Sequence, residues 1–109
     1  MGKQKKLARP AKNDDIHGVV REAISHGRYR FSAHALKRMQ ERRIVQIEIK
    51  NVLLKGRREK RKDEYDGQYQ CWKYAWRGQD ENSRSIRVIA REGTPGIWII
   101  TAIVLEARS

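Results

Sequence analysis

Apolar residues in this chain recur every three to four positions as far as Gly56, and every second position across much of the remainder. The first spacing puts one side of a helix against a core; the second gives a strand two unlike faces. Helical segments succeeded by a block of strands define an α+β chain rather than an alternating α/β one.

Three helices are expected. Ile16, Val19, Val20, Ala23 and Ile24 share one face of the first. Its start is marked by Asn13, Asp14 and Asp15, which offer cap oxygens and negative charge, and its stop by Gly27. The second begins at the cap residue Ser32 and turns Ala35, Leu36 and Met39 inward, with Phe31 set to pack as a staple before it. The third covers roughly Gln46 to Lys55, with Val45, Ile49, Val52 and Leu53 as its stripe and Gly56 as its end.

Beyond Gly56 the very polar stretch Arg57 to Tyr65 reads as an edge strand guarded by charge. From Tyr69 to Arg77, Trp72, Tyr74 and Trp76 face one way, and Cys71, Lys73, Ala75 and Arg77 the other. From Ser85 to Glu92, Ile86, Val88 and Ala90 oppose Arg87, Ile89 and Arg91. Gly93-Thr94-Pro95-Gly96 is a turn. Ile97 to Leu105 is almost continuously apolar and reads as a central strand covered on both faces. The expected fold is N-terminal helices packed on a three- or four-stranded antiparallel sheet.

The 109 residues suit one domain, residues 13–109, preceded by a basic arm over residues 1–12 that reads as flexible. The chain carries 25 Lys and Arg against 13 Asp and Glu, a formal charge of +12. Such a field gathers polyanions, with RNA or an acidic protein as the fitting partners. No apolar run approaches the length that spans a bilayer, and the basic start lacks the apolar core of a signal peptide. The single cysteine, Cys71, forms no internal disulfide and fits a reducing cytoplasm.

The residues Phe31, Ser32, His34, Ala35, Arg38, Met39, Glu41, Arg42 and Ile44 spell F-S-x-H-A-x-x-R-M-x-E-R-x-I. With the later Ile-Arg-Val-Ile and Ile-Ile-Thr strands, this resembles a family of small bacterial proteins of uncharacterised function, over roughly residues 14 to 105. That family is in turn similar to the toxins of toxin–antitoxin pairs of the RelE and BrnT kind. The resemblance implies a RelE-like fold, metal-independent cleavage of single-stranded or ribosome-associated messenger RNA, no cofactor, and silencing by a cognate antitoxin. One departure is Val45-Gln46, where such families place a small hydroxyl or acidic cap before the third helix.

Two sets of residues are candidates for chemistry. His34, Arg38 and Arg42 succeed one another at helical spacing. An imidazole titrating near neutrality suits proton transfer, and the arginines suit phosphate. The same three residues equally suit a packed ring and surface ion pairs with Glu41. The second set lies on the strands: Lys73 and Arg77 share one face, Arg87 and Arg91 another, and four cations line one surface if those faces align. A ribonuclease of this kind needs positioned cations while the ribose 2′-hydroxyl attacks phosphorus. His34, Lys73 and Arg87 are therefore the expected catalytic residues. Arg38, Arg42, Arg77 and Arg91 are expected to hold phosphate, and the run from Lys55 to Lys62, with Arg57, Arg58, Lys60 and Arg61 in it, is the densest basic patch and the expected contact for an RNA backbone. Tyr69 and Tyr74 are candidates for stacking on bases, and Thr101 offers a hydroxyl. Trp72 and Trp76 suit burial better than a stacking platform. The alternative is a non-catalytic module that holds RNA or an acidic protein. His17, His26 and His34 lack compact metal-ligand spacing, and no glycine-rich phosphate loop is present.

Overall fold

Ser32 does two jobs at the start of the second helix: its Oγ accepts from the Ala35 N–H at 3.0 Å and donates to the Ile100 carbonyl at 3.0 Å. The sequence thereby fixes a helix start and ties it to a strand. In the computed structural model, which describes residues 9–105, the elements are α1 (Ile16–Ser25), β1 (Tyr29–Phe31), α2 (Ala33–Arg42), α3 (Gln46–Lys55), β2 (Arg57–Arg58), β3 (Glu64–Asp66), β4 (Cys71–Gln79), β5 (Ser85–Gly93) and β6 (Gly96–Leu105). A 3-10 turn, Lys60–Lys62, parts β2 from β3.

The chain is α+β, but its sheet is larger than expected and mixed. The order is β1-β6-β5-β4-β2, with β3 also on β4, and β1 runs parallel to β6. Phe31, just before the Ser32 cap, ends β1 opposite Ile99 and packs half-buried against the core. Three residues of β1 reach only Ile97, Trp98 and Ile99; beyond them α2 meets the edge of β6. The Ser32 N–H donates to the Ile99 carbonyl, and Arg42 Nη1 donates to the Ala102 carbonyl at 2.7 Å. An edge that would otherwise invite pairing is thus closed.

The core gathers Val20, Ala35, Met39, Ile49, Val52 and Leu53 from the helices with Trp76, Ile86, Val88, Ile97, Ile99 and Ala102 from one face of the sheet. The expectation that β6 is covered on both faces is not met: Trp98, Ile100, Thr101 and Ile103 are only half-buried. The helices pack on the other face of the sheet, and a β-bulge sets which residues of β6 are left on this one. Ile89 pairs with Thr101 but Ala90 with Ile99, so Ile100 is an extra residue and the inward phase shifts from Ile99 to Ala102. Ile100 and Thr101 both end on the face away from the core.

α3 starts without a polar cap at Val45. Instead the Glu48 carboxylate accepts from the Val45 N–H at 3.0 Å, and its other oxygen accepts from the Glu81 N–H across the β4–β5 connection. Gly56 then turns the chain out of the helix; a Cβ there would come within 2.5 Å of both the Arg77 and Val52 carbonyl oxygens.

The expected edge strand from Arg57 to Tyr65 is broken by a buried carboxylate. The Asp63 side chain is 0 % exposed and accepts from Arg58 Nη2 at 2.7 Å, Arg58 Nη1 at 3.0 Å, Lys12 Nζ at 2.9 Å and the Ala75 N–H at 2.9 Å. It takes the ladder donor of Ala75 that a continuous strand would use, while the Glu59 N–H donates to the Ala75 carbonyl. Of the arm, residues 1–8 lie outside the described residues. Arg9 lies over Tyr65, the Pro10 carbonyl accepts from Trp72 Nε1, and Lys12 binds Asp63, so the described end of the arm touches β3 and β4 while residues 9–11 stay exposed. Burial disfavours charge on Asp63, yet hydrogen bonds from Arg58, Lys12 and Ala75 hold its carboxyl below the ordinary value. A depressed carboxylate adds stability at neutral pH that is lost as pH falls below the usual value of 3.8. Replacing Asp63 by Ala strands the Arg58 guanidinium and should cost roughly 3–5 kcal/mol, read as a lower midpoint in urea unfolding. Unchanged stability would show that this carboxylate does not hold the edge.

Candidate functional site

On the face of the sheet opposite the helices, β4 and β5 pair so that Arg77 stands directly across from Arg87. β2 pairs so that Arg57 stands directly across from Arg77. Three arginines therefore form a row over three strands, continued on β6 by Ile103. Like charges facing one another across a sheet oppose its formation. One carboxylate offsets part of this: Glu59 accepts from Arg87 Nε at 2.6 Å and Nη2 at 3.3 Å, and lies 3.7 Å from Arg77 Nη1. The Arg87 hydrogen bond, against a smaller opposing effect of burial, holds the Glu59 carboxyl below its usual range. Arg87 Nη1 has no partner among the described residues.

Beside that row lies a cavity of about 330 Å³, lined by Lys62, Glu64, Lys73, Arg87, Ile89, Ile100, Thr101 and Ile103. The apolar residues come from β5 and the bulged part of β6; the cations come from the 3-10 turn, β4 and β5. Lys73 is only loosely held, 3.9 Å from Glu64 and 4.0 Å from Asp66. Two further clefts adjoin through shared residues: one of about 340 Å³ bounded by Arg57, Arg61, Lys62 and Arg77, and one of about 500 Å³ bounded by Lys55, Arg57 and Arg77. Together they form a cationic border along the β2 side of the sheet. An anionic chain laid along it would meet ammonium and guanidinium groups in succession, with apolar residues beneath it only at the cavity.

Of the expected catalytic residues, Lys73 and Arg87 line one cavity and His34 does not. His34 is exposed on α2, and its ring makes no hydrogen bond among the described residues. Arg38 pairs with Glu41 at 2.9 Å on the helix surface, and Arg42 is spent on the edge of β6. Arg57, Lys60 and Arg61 are exposed beside the clefts. Arg58 belongs to the fold instead: it grips Asp63, donates to the Ala75 carbonyl at 2.7 Å and lies over the Tyr74 and Trp76 rings. Tyr74 is buried and its hydroxyl accepts from the Asn13 N–H, so its ring offers no open face to a base. Arg91 stands on the same face as Arg87 and lies over Trp98 and Tyr69.

Glu59 and Glu64 escaped the reading of the sequence as site residues, whereas Lys62 belongs to the basic run it singled out. They sit in a run that looks uniformly charged, and only pairing with β4 separates those turned to the cavity from those in water. His17 escaped too. Its Nδ1 accepts from the buried Trp76 Nε1 at 2.9 Å, and burial with nearby Arg21 and Arg58 pushes its pKa down, so it is a neutral ring fixed by the core. Among the described residues no three His, Cys, Asp or Glu side chains gather as metal ligands, and no helix is long and apolar enough to cross a membrane.

The fold and this face define a small α+β domain whose open sheet surface is cationic. The chain belongs to the DUF4258 family, a domain of unknown function, whose model matches residues 31–104. That match begins at β1 and runs through β6, so it includes the cavity. Neither a curated protein nor a solved structure matches the chain.

If Glu59 restrains Arg77 and Arg87, Glu59→Gln should tighten binding of a single-stranded RNA oligonucleotide and steepen the slope of log K against log salt by about 0.7. Fluorescence anisotropy over a salt series reads both. An unchanged slope would mean that the arginine row lies outside the contact.

Proposed function

We propose that this protein is a metal-independent endoribonuclease of the toxin kind that RelE and BrnT represent, acting on messenger RNA in the cytoplasm. We also propose that a cognate antitoxin silences it by covering the same cationic face. The observation that carries this reading is the row Arg57, Arg77 and Arg87, backed by a single carboxylate and opening beside Lys73. A row of like charges costs stability unless an anion completes it, and a phosphodiester chain is such an anion.

The chemistry rests on the groups at hand. Phosphate oxygens take hydrogen bonds from Arg87 Nη1 and from Lys73, which stabilise the negative charge growing on phosphorus. The ribose 2′-oxygen attacks that phosphorus and gives its proton to the Glu64 carboxylate. The 5′-oxygen leaves and takes a proton from the Lys73 ammonium. The products are a 2′,3′-cyclic phosphate and a 5′-hydroxyl. His34, outside the cavity, has no part in this scheme. The RelE-like relationship is part of the same proposal and rests on the motif from Phe31 to Ile44.

One observation favours a second reading, a module that binds RNA or an acidic protein without cutting. Arg87 already gives two of its three nitrogens to Glu59, which leaves fewer donors for a transition state. Incubation of purified protein with defined RNA in chelator separates the two. Cleavage should occur, fall about 100-fold or more in Lys73→Ala and Arg87→Ala, and persist in His34→Ala. Binding with no cleavage would favour the module. Loss of cleavage in His34→Ala alone would move the centre to α2.

A further inference from the structure

Tyr69 is 64 % exposed, a large ring left in water just before β4, and no contact within the core uses it. The Arg91 guanidinium carbon lies 5.7 Å from the centroid of Tyr69 and 5.7 Å from that of Trp98. Arg91 and Trp98 are direct cross-strand partners, so both stand on the open face. Ile89, two residues from Arg91 along β5, lines the cavity, which sets this aromatic cluster about 7 Å away along the strand.

We propose that Tyr69, Arg91 and Trp98 form a nucleobase-stacking subsite beside the Lys73–Arg87 cavity, and that the RNA held there is single-stranded. This inference rests on the RNA reading above and adds the place where a base is held. The cluster is built before any ligand arrives. Arg91 Nη1 donates to the Glu92 carbonyl at 3.1 Å, and Trp98 Nε1 donates to the Thr94 carbonyl at 2.8 Å. Gly93 leaves room for both: a Cβ there would come within 2.6 Å of Arg91 Nη1 and 3.0 Å of Trp98 Cδ1. An arginine staple over Trp98 would by itself account for the turn between β5 and β6. It would not account for a tyrosine drawn to the same guanidinium with most of its surface still open. Rings and guanidinium planes that stack on bases act on single strands, because a base paired in a duplex presents no free π-face. The cationic row then holds the backbone while the cluster holds one base, which fixes the register of the phosphate over Lys73 and Arg87.

Binding of three probes by the unaltered full-length protein, Tyr69→Ala, Arg91→Gln and Lys73→Ala tests this. The probes are a single-stranded RNA oligonucleotide, the same RNA annealed to its complement, and an abasic phosphodiester oligomer of equal length. The unaltered protein should prefer the single strand. Tyr69→Ala should lose roughly fivefold or more on that probe and nothing on the abasic oligomer, whereas Lys73→Ala should weaken both. Arg91→Gln, which keeps a planar amide but removes the charge, should match Tyr69→Ala on the single strand. If the unaltered protein binds single-stranded and abasic probes alike, or Tyr69→Ala binds RNA undiminished, the subsite is refuted while the RNA reading stands. If the unaltered protein binds none of the probes, both are refuted.

Discussion

The Asp63 carboxylate, sealed from solvent and held by Arg58, Lys12 and the Ala75 N–H, shapes the side of this molecule on which its charge gathers. By taking a ladder donor from β4 it interrupts the edge strand. The interruption lifts the 3-10 turn Lys60–Lys62 off the sheet and leaves β2 and β3 as two short pieces on one neighbour. Lys62 and Glu64 reach the cavity because of that break. A straight edge strand would have presented one flat row of charges instead of adjoining clefts. The same contact anchors Lys12 and ties the end of the arm to the sheet, so a local polar choice sets both an edge and a terminus. A buried pair of this kind is a weak source of net stability, and its value here lies in the geometry it imposes.

The positive surplus divides into two populations. Arg58, Arg42 and Arg84 are consumed by the fold. Arg84 binds Asp80 at 2.6 Å and donates to the Arg42 and Arg43 carbonyls, which closes the C-terminal end of α2. Arg57, Arg77, Arg87, Lys62 and Lys73 stand on the helix-free side, where only Glu59, Glu64 and Asp66 answer them among the described residues. Net charge alone did not separate these groups, because an arginine that satisfies backbone carbonyls and one that awaits an anion contribute equally to it. Pairing partners separate them.

The reading of the sequence found what depends on period. The three helices arise from apolar residues at helical spacing, and the two faces of β4 and β5 from strict alternation, which put Lys73 with Arg77 and Arg87 with Arg91; the pairing of Arg77 with Arg87 then joins the two faces. It failed where partners far along the chain decide. β1 is three residues long and exists because β6 lies beside it, which no local pattern signals. The continuous run from Ile97 to Leu105 suggested two covered faces, but the helices cover only one, and a bulge at Ile100 adds an apolar residue to the half-open face. Tyr74 and Arg58 carry the residue types of an RNA site, and their burial became visible only once Asn13 and Asp63 were seen against them. His34 had the right chemistry in a recognisable motif, yet it is exposed on α2 and is not among the residues that line the cavity.

The central claim is that the helix-free face of the sheet, and not the helical side, meets RNA. Backbone amide chemical shifts of the uniformly labelled protein, tracked during titration with a short uncleavable single-stranded RNA, test it most directly. The account predicts shifts concentrated at residues 60–64, 71–77, 87–91 and 98–103, with α1 and α2 unchanged. Shifts confined to α1 and α2, around His34 and Arg38, would contradict it.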